Sequence, residues 1–332
     1  MFIIESYSIA VIFCIVTMLC WGSWANTQKL SPGNWSFPLF YWDYALGVLI
    51  FSFILGITMG SQGDTGMGFF QSLGQASSES IISALVGGVI FNLANLLIVA
   101  AIEVAGMAIA FPIGIGIALV LGVIVNYLAV PLGNPVLLFL GIALVTVAII
   151  LDAFAYKKIS TGKTTTKGIL LSVFGGILMG FFFRFVAASM ATDFENPGQG
   201  LFTPYTAVFV FAIGVFLSNF VFNTFFMYKP ITGNKTKFKD YFTLGSFRTH
   251  FTGILGGIIW VTGMSFSLIA SEKAGFAISY GLGQGATMVA AIWGVFIWKE
   301  FKNAPKGINL LIALMFLSFL SGLILVIISR II

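Results

Sequence analysis

Few side chains in this sequence can do chemistry, and the ones that can stand alone inside long apolar runs. Asp43 lies about five residues into one such run, where a carboxylate costs on the order of 2.5–3.5 kcal/mol at mid-membrane and less near an interface. That cost points to a partner or a cavity. Asp43 is therefore a candidate for proton coupling, since desolvation raises a carboxyl pKa toward physiological pH; the competing reading is a structural carboxylate near the membrane edge. Arg184 is the one basic residue deep within a run, roughly 24 Å along its helix from the run's start. It meets carbonyls, snorkels outward or contacts substrate, and it sits too far from Asp43 for a direct ion pair. Asn92 and Asn95, and separately Gln284, are amides that both donate and accept, as the edge of a polar solute carrying both kinds of group requires; bonding between helices is their alternative use. Trp21, Trp24, Tyr280 and Trp293 can stack on a planar ring or fill a core, and Trp21 is the best placed to stack because its depth matches that of the amides. Pro112 and the GLGQG stretch around Gly283 mark hinges or close-packing points. Asn219 and Asn223 share a helix face that can line a vestibule. His250, the lone histidine, reads as interfacial. With no cysteine cluster beside it, no metal site and no cofactor are expected.

The elements that hold these groups are membrane helices. Of 332 residues 59% are hydrophobic and 8% charged, against roughly 25% charged in a soluble domain. The apolar runs do not alternate as barrel strands would. Ten runs, at about 8–28, 38–59, 81–101, 106–128, 134–154, 168–190, 203–226, 251–270, 275–298 and 307–329, are each long enough to cross a hydrocarbon core of roughly 30 Å. The first lacks a basic leader region and reads as a retained span rather than a signal peptide. Cys14 and Cys20, six residues apart on that one helix, cannot pair.

Charge sets the orientation. Of the 16 basic residues, 13 fall in connections one, five, seven and nine, from Lys29 through Lys157, Lys158, Lys163 and Lys167 to Lys306. By the positive-inside rule these connections are cytoplasmic and both termini face outward. The net charge of +5 thus reports topology, and no basic face suited to nucleic acid exists outside these loops.

The second half repeats the first. At an offset of 169, Gly87-Gly88 falls on Gly256-Gly257; Glu103, Ala105, Gly106, Ala108 and Ile109 fall on Glu272, Ala274, Gly275, Ala277 and Ile278; and Gly114 and Gly116 fall on Gly283 and Gly285. Five spans per copy is an odd number, so the copies must be inverted, an arrangement typical of alternating-access carriers. The expected organisation is a first five-helix repeat at 1–154, a cytoplasmic linker at 155–167 and a second five-helix repeat at 168–332.

Several stretches resemble the ureide permease family of the drug/metabolite transporter superfamily: Glu5-Ser6, WGSW from Trp21 to Trp24, YWDY from Tyr41 to Tyr44, GG…N from Gly87 to Asn95, and Asn126-Tyr127. In the second half they are ATD at 191–193, PYTAVF at 204–209, YKP at 228–230 and WGVFIWKE at 293–300. The resemblance implies a ten-helix carrier importing a small polar heterocycle such as allantoin or uracil with protons, and it favours a coupling role for the aspartate of YWDY. Without the long central segment of plant members, and with no phosphate-loop motif between Ala155 and Lys167, the chain resembles a bacterial inner (plasma) membrane form. Arg184 stands outside the quoted motifs and leaves open a substrate with an anionic group. Sugar uptake carriers and drug/metabolite exporters of the superfamily are the alternatives; no nucleophile-base pair or metal cluster supports an enzyme. The expected partners are a small-molecule substrate, protons and the lipid bilayer.

Overall fold

The computed structural model describes residues 1–32, 35–159, 165–231 and 234–332. Lys163, placed above in a cytoplasmic linker, lies outside the described residues. The described chain is all helical: α1 (Tyr7–Ser23), α2 (Asn26–Lys29), α3 (Phe37–Ile57), α4 (Phe69–Gln75), α5 (Ser78–Ala105), α6 (Met107–Ala129), α7 (Pro135–Ile159), α8 (Thr166–Ala188), α9 (Pro204–Tyr228), α10 (Phe238–Thr243), α11 (Phe247–Ala274), α12 (Phe276–Gly283), α13 (Ala286–Ile292), a π-helical turn (Trp293–Ile297) and α14 (Ile308–Ile328). Ten segments are long and apolar enough to span a membrane, and they match the ten apolar runs. Differences fall at the ends. The eighth span starts at Phe247 and runs to Ala274, taking in His250 and Lys273: polar groups at a helix end lower an apolar window without stopping the helix. The first span, Tyr7–Lys29, is interrupted by a turn between α1 and α2 at Trp24-Ala25.

Helix starts and breaks follow local chemistry, and they recur between the halves. Ser77 caps α5 by accepting from the Ser80 N–H at 3.1 Å, and Ser246 caps α11 by accepting from the Thr249 N–H at 3.3 Å; each satisfies an orphan donor of the first turn. Both helices are 28 residues long and end on a glycine with positive φ, Gly106 at 78° and Gly275 at 87°. A side chain there would be strained, so the chain turns sharply into α6 and α12.

The crossings repeat as well. A Cβ on Gly88 would lie 2.1 Å from the Phe211 carbonyl oxygen of α9, and one on Gly257 would lie 2.1 Å from the Tyr44 carbonyl oxygen of α3. The partner glycines show the reciprocal fit, Gly214 at 2.3 Å from the Leu85 oxygen and Gly47 at 2.3 Å from the Ile254 oxygen. Without a Cβ these backbones touch, as small residues permit in membrane bundles. Around them α5 packs on α8 and α9, while α11 packs on α1 and α3; α7 packs on α14. The fourth and ninth spans differ. Helix α6 continues unbroken through Pro112, whereas its counterpart stops at Gly283, turns at Gln284-Gly285, resumes as α13 and finishes in the π-helical turn. Of the two expected hinges, only the one at Gly283 coincides with a break.

Candidate functional site

A cavity of about 490 Å³ opens between α1, α5, α6, α7, α8, α11 and α13. It is lined from mid-bundle to the end of the molecule where α2, α5 and α7 terminate and the π-helical turn leaves the bundle. Contacts tie that end together: Lys29 Nζ lies 3.3 Å from Glu300 Oε1, and the Tyr156 hydroxyl donates to Glu300 Oε2 at 2.7 Å. The opposite end is closed by its own set. The Tyr7 hydroxyl donates to the Ile327 carbonyl at 2.7 Å, Gln75 Nε2 to the Leu201 carbonyl at 2.7 Å, and the Phe194 N–H to Glu272 Oε1 at 2.8 Å.

The deep walls are aromatic. Trp260 sits at the centre, 4.3 Å from Phe91 and stacked with Trp21 at 5.9 Å between ring centroids, and Trp21 Nε1 donates to the Trp260 carbonyl at 3.2 Å. Two amides join them. Asn95 donates to the Tyr41 hydroxyl at 3.1 Å, while the Gln284 side chain, set at the break between α12 and α13, makes no hydrogen bond among the described residues. Both reach the cavity. Nearer the mouth stand Glu103, Asp152 and Glu300, with Lys29 lying 4.5 Å over the Trp298 ring. Trp293 Nε1 donates to Ser23 Oγ at 2.9 Å and Trp298 Nε1 to Asn26 Oδ1 at 2.7 Å, joining the first and ninth spans at the rim.

The structure therefore brings Trp21, Asn95 and Gln284 together, and leaves three other candidates elsewhere. Asn92 is buried and donates to Ser218 at 2.9 Å, because a three-residue step turns its side chain toward α9 while Asn95 faces α3. Tyr280 is fully buried, its hydroxyl donating to the Ala118 and Met179 carbonyls at 3.1 and 3.2 Å and its ring against Gly122. Arg184, half-buried, is outside the cavity walls. Asn219 and Asn223 are buried on α9, Asn223 donating to the Pro38 carbonyl of α3 at 2.8 Å, and do not line the cavity.

Asp43 is also off the cavity, but it is not alone. It is fully buried and accepts from the Tyr241 hydroxyl and from His250 Nδ1, the latter at 2.9 and 3.1 Å to its two oxygens. Trp35 closes the cluster edge-on to the imidazole at 5.1 Å. Burial, and then the bond to Asp43, push the Tyr241 hydroxyl above its ordinary range, so it remains a donor. Gly253 lets α11 lie directly against the carboxylate, since a Cβ there would come within 2.4 Å of Asp43 Cβ. Sequence reasoning missed this partnership. His250 is 207 residues from Asp43 and Tyr241, 198 residues away, lies on the short α10 between two spans, so no local spacing signals either. The cluster touches the cavity through α3 itself, where Tyr41, two residues before Asp43, holds Asn95.

Among the described residues ten apolar spans surround a cavity that reaches from the middle of the bundle to one end, the architecture of a membrane transporter of small solutes. The chain belongs to the ureide permease family, whose family model matches residues 40–163 and 155–329. It is 23% identical to ureide permease 1 and 22% identical to ureide permease 2 of Arabidopsis thaliana, covering 96% and 97% of this chain and the same shares of theirs. It is also 24% identical to the glucose uptake protein GlcU of Bacillus subtilis (strain 168), over 92% of this chain and 93% of that one. A solved crystal structure superposes with a TM-score of 0.62 at 12% identity, over 97% of this chain and 98% of its own, which shows the fold alone.

Proposed function

We propose that this protein imports a small polar solute, a ureide such as allantoin or a nucleobase, in symport with protons. The observation that carries the reading is the pair of amides, Asn95 and Gln284, set among indole and phenyl rings at the deep end of the cavity. A flat heterocycle stacks on Trp21 or Trp260 and presents carbonyl and N–H edges to the amides. The volume of about 490 Å³ falls in the range of roughly 300–1,000 Å³ usual for small-molecule sites. The ureide permease relatives, aligned along nearly the whole chain, support the same class.

In this reading the lysine-rich end is cytoplasmic, both termini face outward across a bacterial inner membrane, and the structure is the inward-open state. The two five-helix halves, 1–154 and 168–332, are inverted repeats that exchange conformations. Asp43 and His250 take up the coupling proton outside the cavity and bias α3, which holds Asn95 through Tyr41. A second reading, sugar uptake, is favoured by the likeness to the glucose uptake protein.

Uptake into vesicles of the purified protein distinguishes them. Allantoin and uracil are expected to accumulate under an imposed pH gradient and to compete with each other, and Asn95→Leu and Gln284→Leu each to lower uptake at least about tenfold, the loss of one to two buried hydrogen bonds. Saturable glucose or ribose uptake, unaffected by allantoin and uracil, refutes the ureide reading and supports the second.

A further inference from the structure

The segment between the seventh and eighth spans is built unlike a solvated loop. From Lys229 to Arg248 it carries Lys229, Lys235, Lys237, Lys239 and Arg248 against a single carboxylate, Asp240. Asp240 is used locally, accepting the Lys237 N–H at 2.7 Å to cap α10. Among the described residues none of the five basic groups makes an ion pair. Large apolar side chains stand between them, with Phe242 78% and Phe247 86% exposed, joined by Leu244 and Phe251. Other contacts fix α10 to the bundle. Phe238 packs 5.5 Å from Trp42, and Tyr241 packs 4.6 Å from His250 while bonding Asp43. The Thr236 N–H donates to the Met227 carbonyl at 3.0 Å. At Gly245 a Cβ would meet the His250 ring at 2.2 Å, so the turn from α10 into α11 is tight.

Exposed phenylalanines are costly in water and suit the headgroup-acyl boundary, where a basic amphipathic segment lies in the membrane plane. Their level agrees, because the spans on either side end at Tyr228 and begin at Phe247. We propose that α10 and its flanks form a binding site for anionic phospholipid headgroups, in which Phe242, Leu244 and Phe247 insert while Lys235, Lys237, Lys239 and Arg248 hold the phosphates. The lipid clamps α10 against α3 and thereby keeps the Tyr241 hydroxyl on Asp43. Bilayer composition then regulates the carrier through Asp43, the buried carboxylate that α10 touches, whichever solute is carried.

The full chain, reconstituted in nanodiscs of phosphatidylcholine alone or mixed with phosphatidylglycerol, tests this by hydrogen exchange of the backbone amides of α10. Basic residues near an anionic surface each strengthen its attraction about fivefold. Exchange over Phe238–Thr243 is therefore expected to slow at least about tenfold in the mixed discs. The combined variant Lys235→Gln, Lys237→Gln, Lys239→Gln and Arg248→Gln is expected to show the phosphatidylcholine rate in both. These surface changes leave every described span contact intact, and unchanged exchange in α5 and α11 verifies that the variant is folded. Equal exchange of α10 in the two lipids overturns the proposal, as does protection that survives the four substitutions. Inorganic pyrophosphate added to phosphatidylcholine discs is expected to do nothing; equal protection by it would reveal a soluble-anion site instead of a lipid site.

Discussion

Replacing His250 by alanine isolates the chemistry of the buried carboxylate. Asp43 is fully buried and has two partners, the Tyr241 hydroxyl and His250 Nδ1. Breaking a buried charge pair by removing one partner costs about 3–5 kcal/mol when both groups are desolvated. The His250 side chain is 30% exposed, so the lower range applies, about 1–3 kcal/mol for leaving an acceptor short of a donor. A loss near 2 kcal/mol is about a 30-fold change in the folded ratio. Asp43→Asn removes the charge, and in the His250→Ala background it is expected to restore at least about 1 kcal/mol, because a neutral amide tolerates the missing partner. The assay is denaturant or thermal unfolding of the four proteins of this cycle in one detergent, run beside uptake under an imposed pH gradient. Asp43→Asn is expected to abolish uphill, pH-driven uptake and retain counterflow exchange, which involves no net proton movement. Independent stability effects of the two substitutions, together with normal pH-driven accumulation by Asp43→Asn, would refute the coupling argument and shift attention to Glu103 and Asp152 at the cavity mouth and to Glu272.

Further outcomes follow from other parts of the molecule. Gly88→Ala and Gly257→Ala place a methyl 2.1 Å from a backbone oxygen and are each expected to lower stability by about 1–3 kcal/mol, measured by unfolding midpoint; Gly116→Ala, with nothing within 4 Å of its added carbon, is expected to be neutral or stabilising by up to about 1 kcal/mol. A topology reporter fused after Ile332 is expected to be active outside the cytoplasm and one inserted near Lys163 active inside, and the reverse pattern removes the orientation argument. The Asp193 carboxylate is held below its usual range, first by the Asn196 N–H and also by the Glu195 N–H. A lowered folded-state pKa means that this stabilisation is complete above the ordinary carboxylate pKa and is lost as pH falls through the lowered value. Amide exchange at Glu195 and Asn196, corrected for intrinsic rates, is expected to speed up only at that acid end.

The spans were legible because each is a run of apolar residues long enough to cross a bilayer, and the two glycine breaks were legible because Glu103-Val-Ala-Gly106 and Glu272-Lys-Ala-Gly275 fall in register. What joins helices across the bundle was not. Asn92 and Asn95 look like one polar face in sequence, yet three residues turn a helix by 300°, enough to aim Asn92 at Ser218 and Asn95 at Tyr41. Tyr280 has the type and depth of a stacking residue, but the glycine that receives it, Gly122, lies 158 positions earlier. Lys29, Tyr156 and Glu300, drawn from three connections or span ends, meet only after folding. His250 shows the limit most clearly: its basic neighbours suggested an interface, while its imidazole turns inward to a carboxylate carried by another helix.

The two halves agree where the bundle is held together and differ where the cavity is. Gly88 and Gly257 meet the carbonyls of Phe211 and Tyr44 at the same distance, and Gly47 and Gly214 return the contact to Ile254 and Leu85 in the same way. Backbone contacts of this kind cannot slide without clashing, so α3, α5, α9 and α11 form the part expected to move least. The asymmetry lies in α6 against α12, α13 and the π-helical turn, one continuous helix facing a helix broken at Gln284. A broken span costs backbone hydrogen bonds, which in a bilayer must be recovered elsewhere; here the break faces the cavity and delivers the Gln284 amide, which has no hydrogen-bond partner among the described residues. On the proposed inverted repeat, the opposite state interchanges the two conformations, and α6 is then expected to take the bend, with Pro112 lowering its cost because the Ala108 carbonyl already lacks its helical donor. A structure of that state with α6 still straight through Pro112 would remove the proline's proposed role as its hinge.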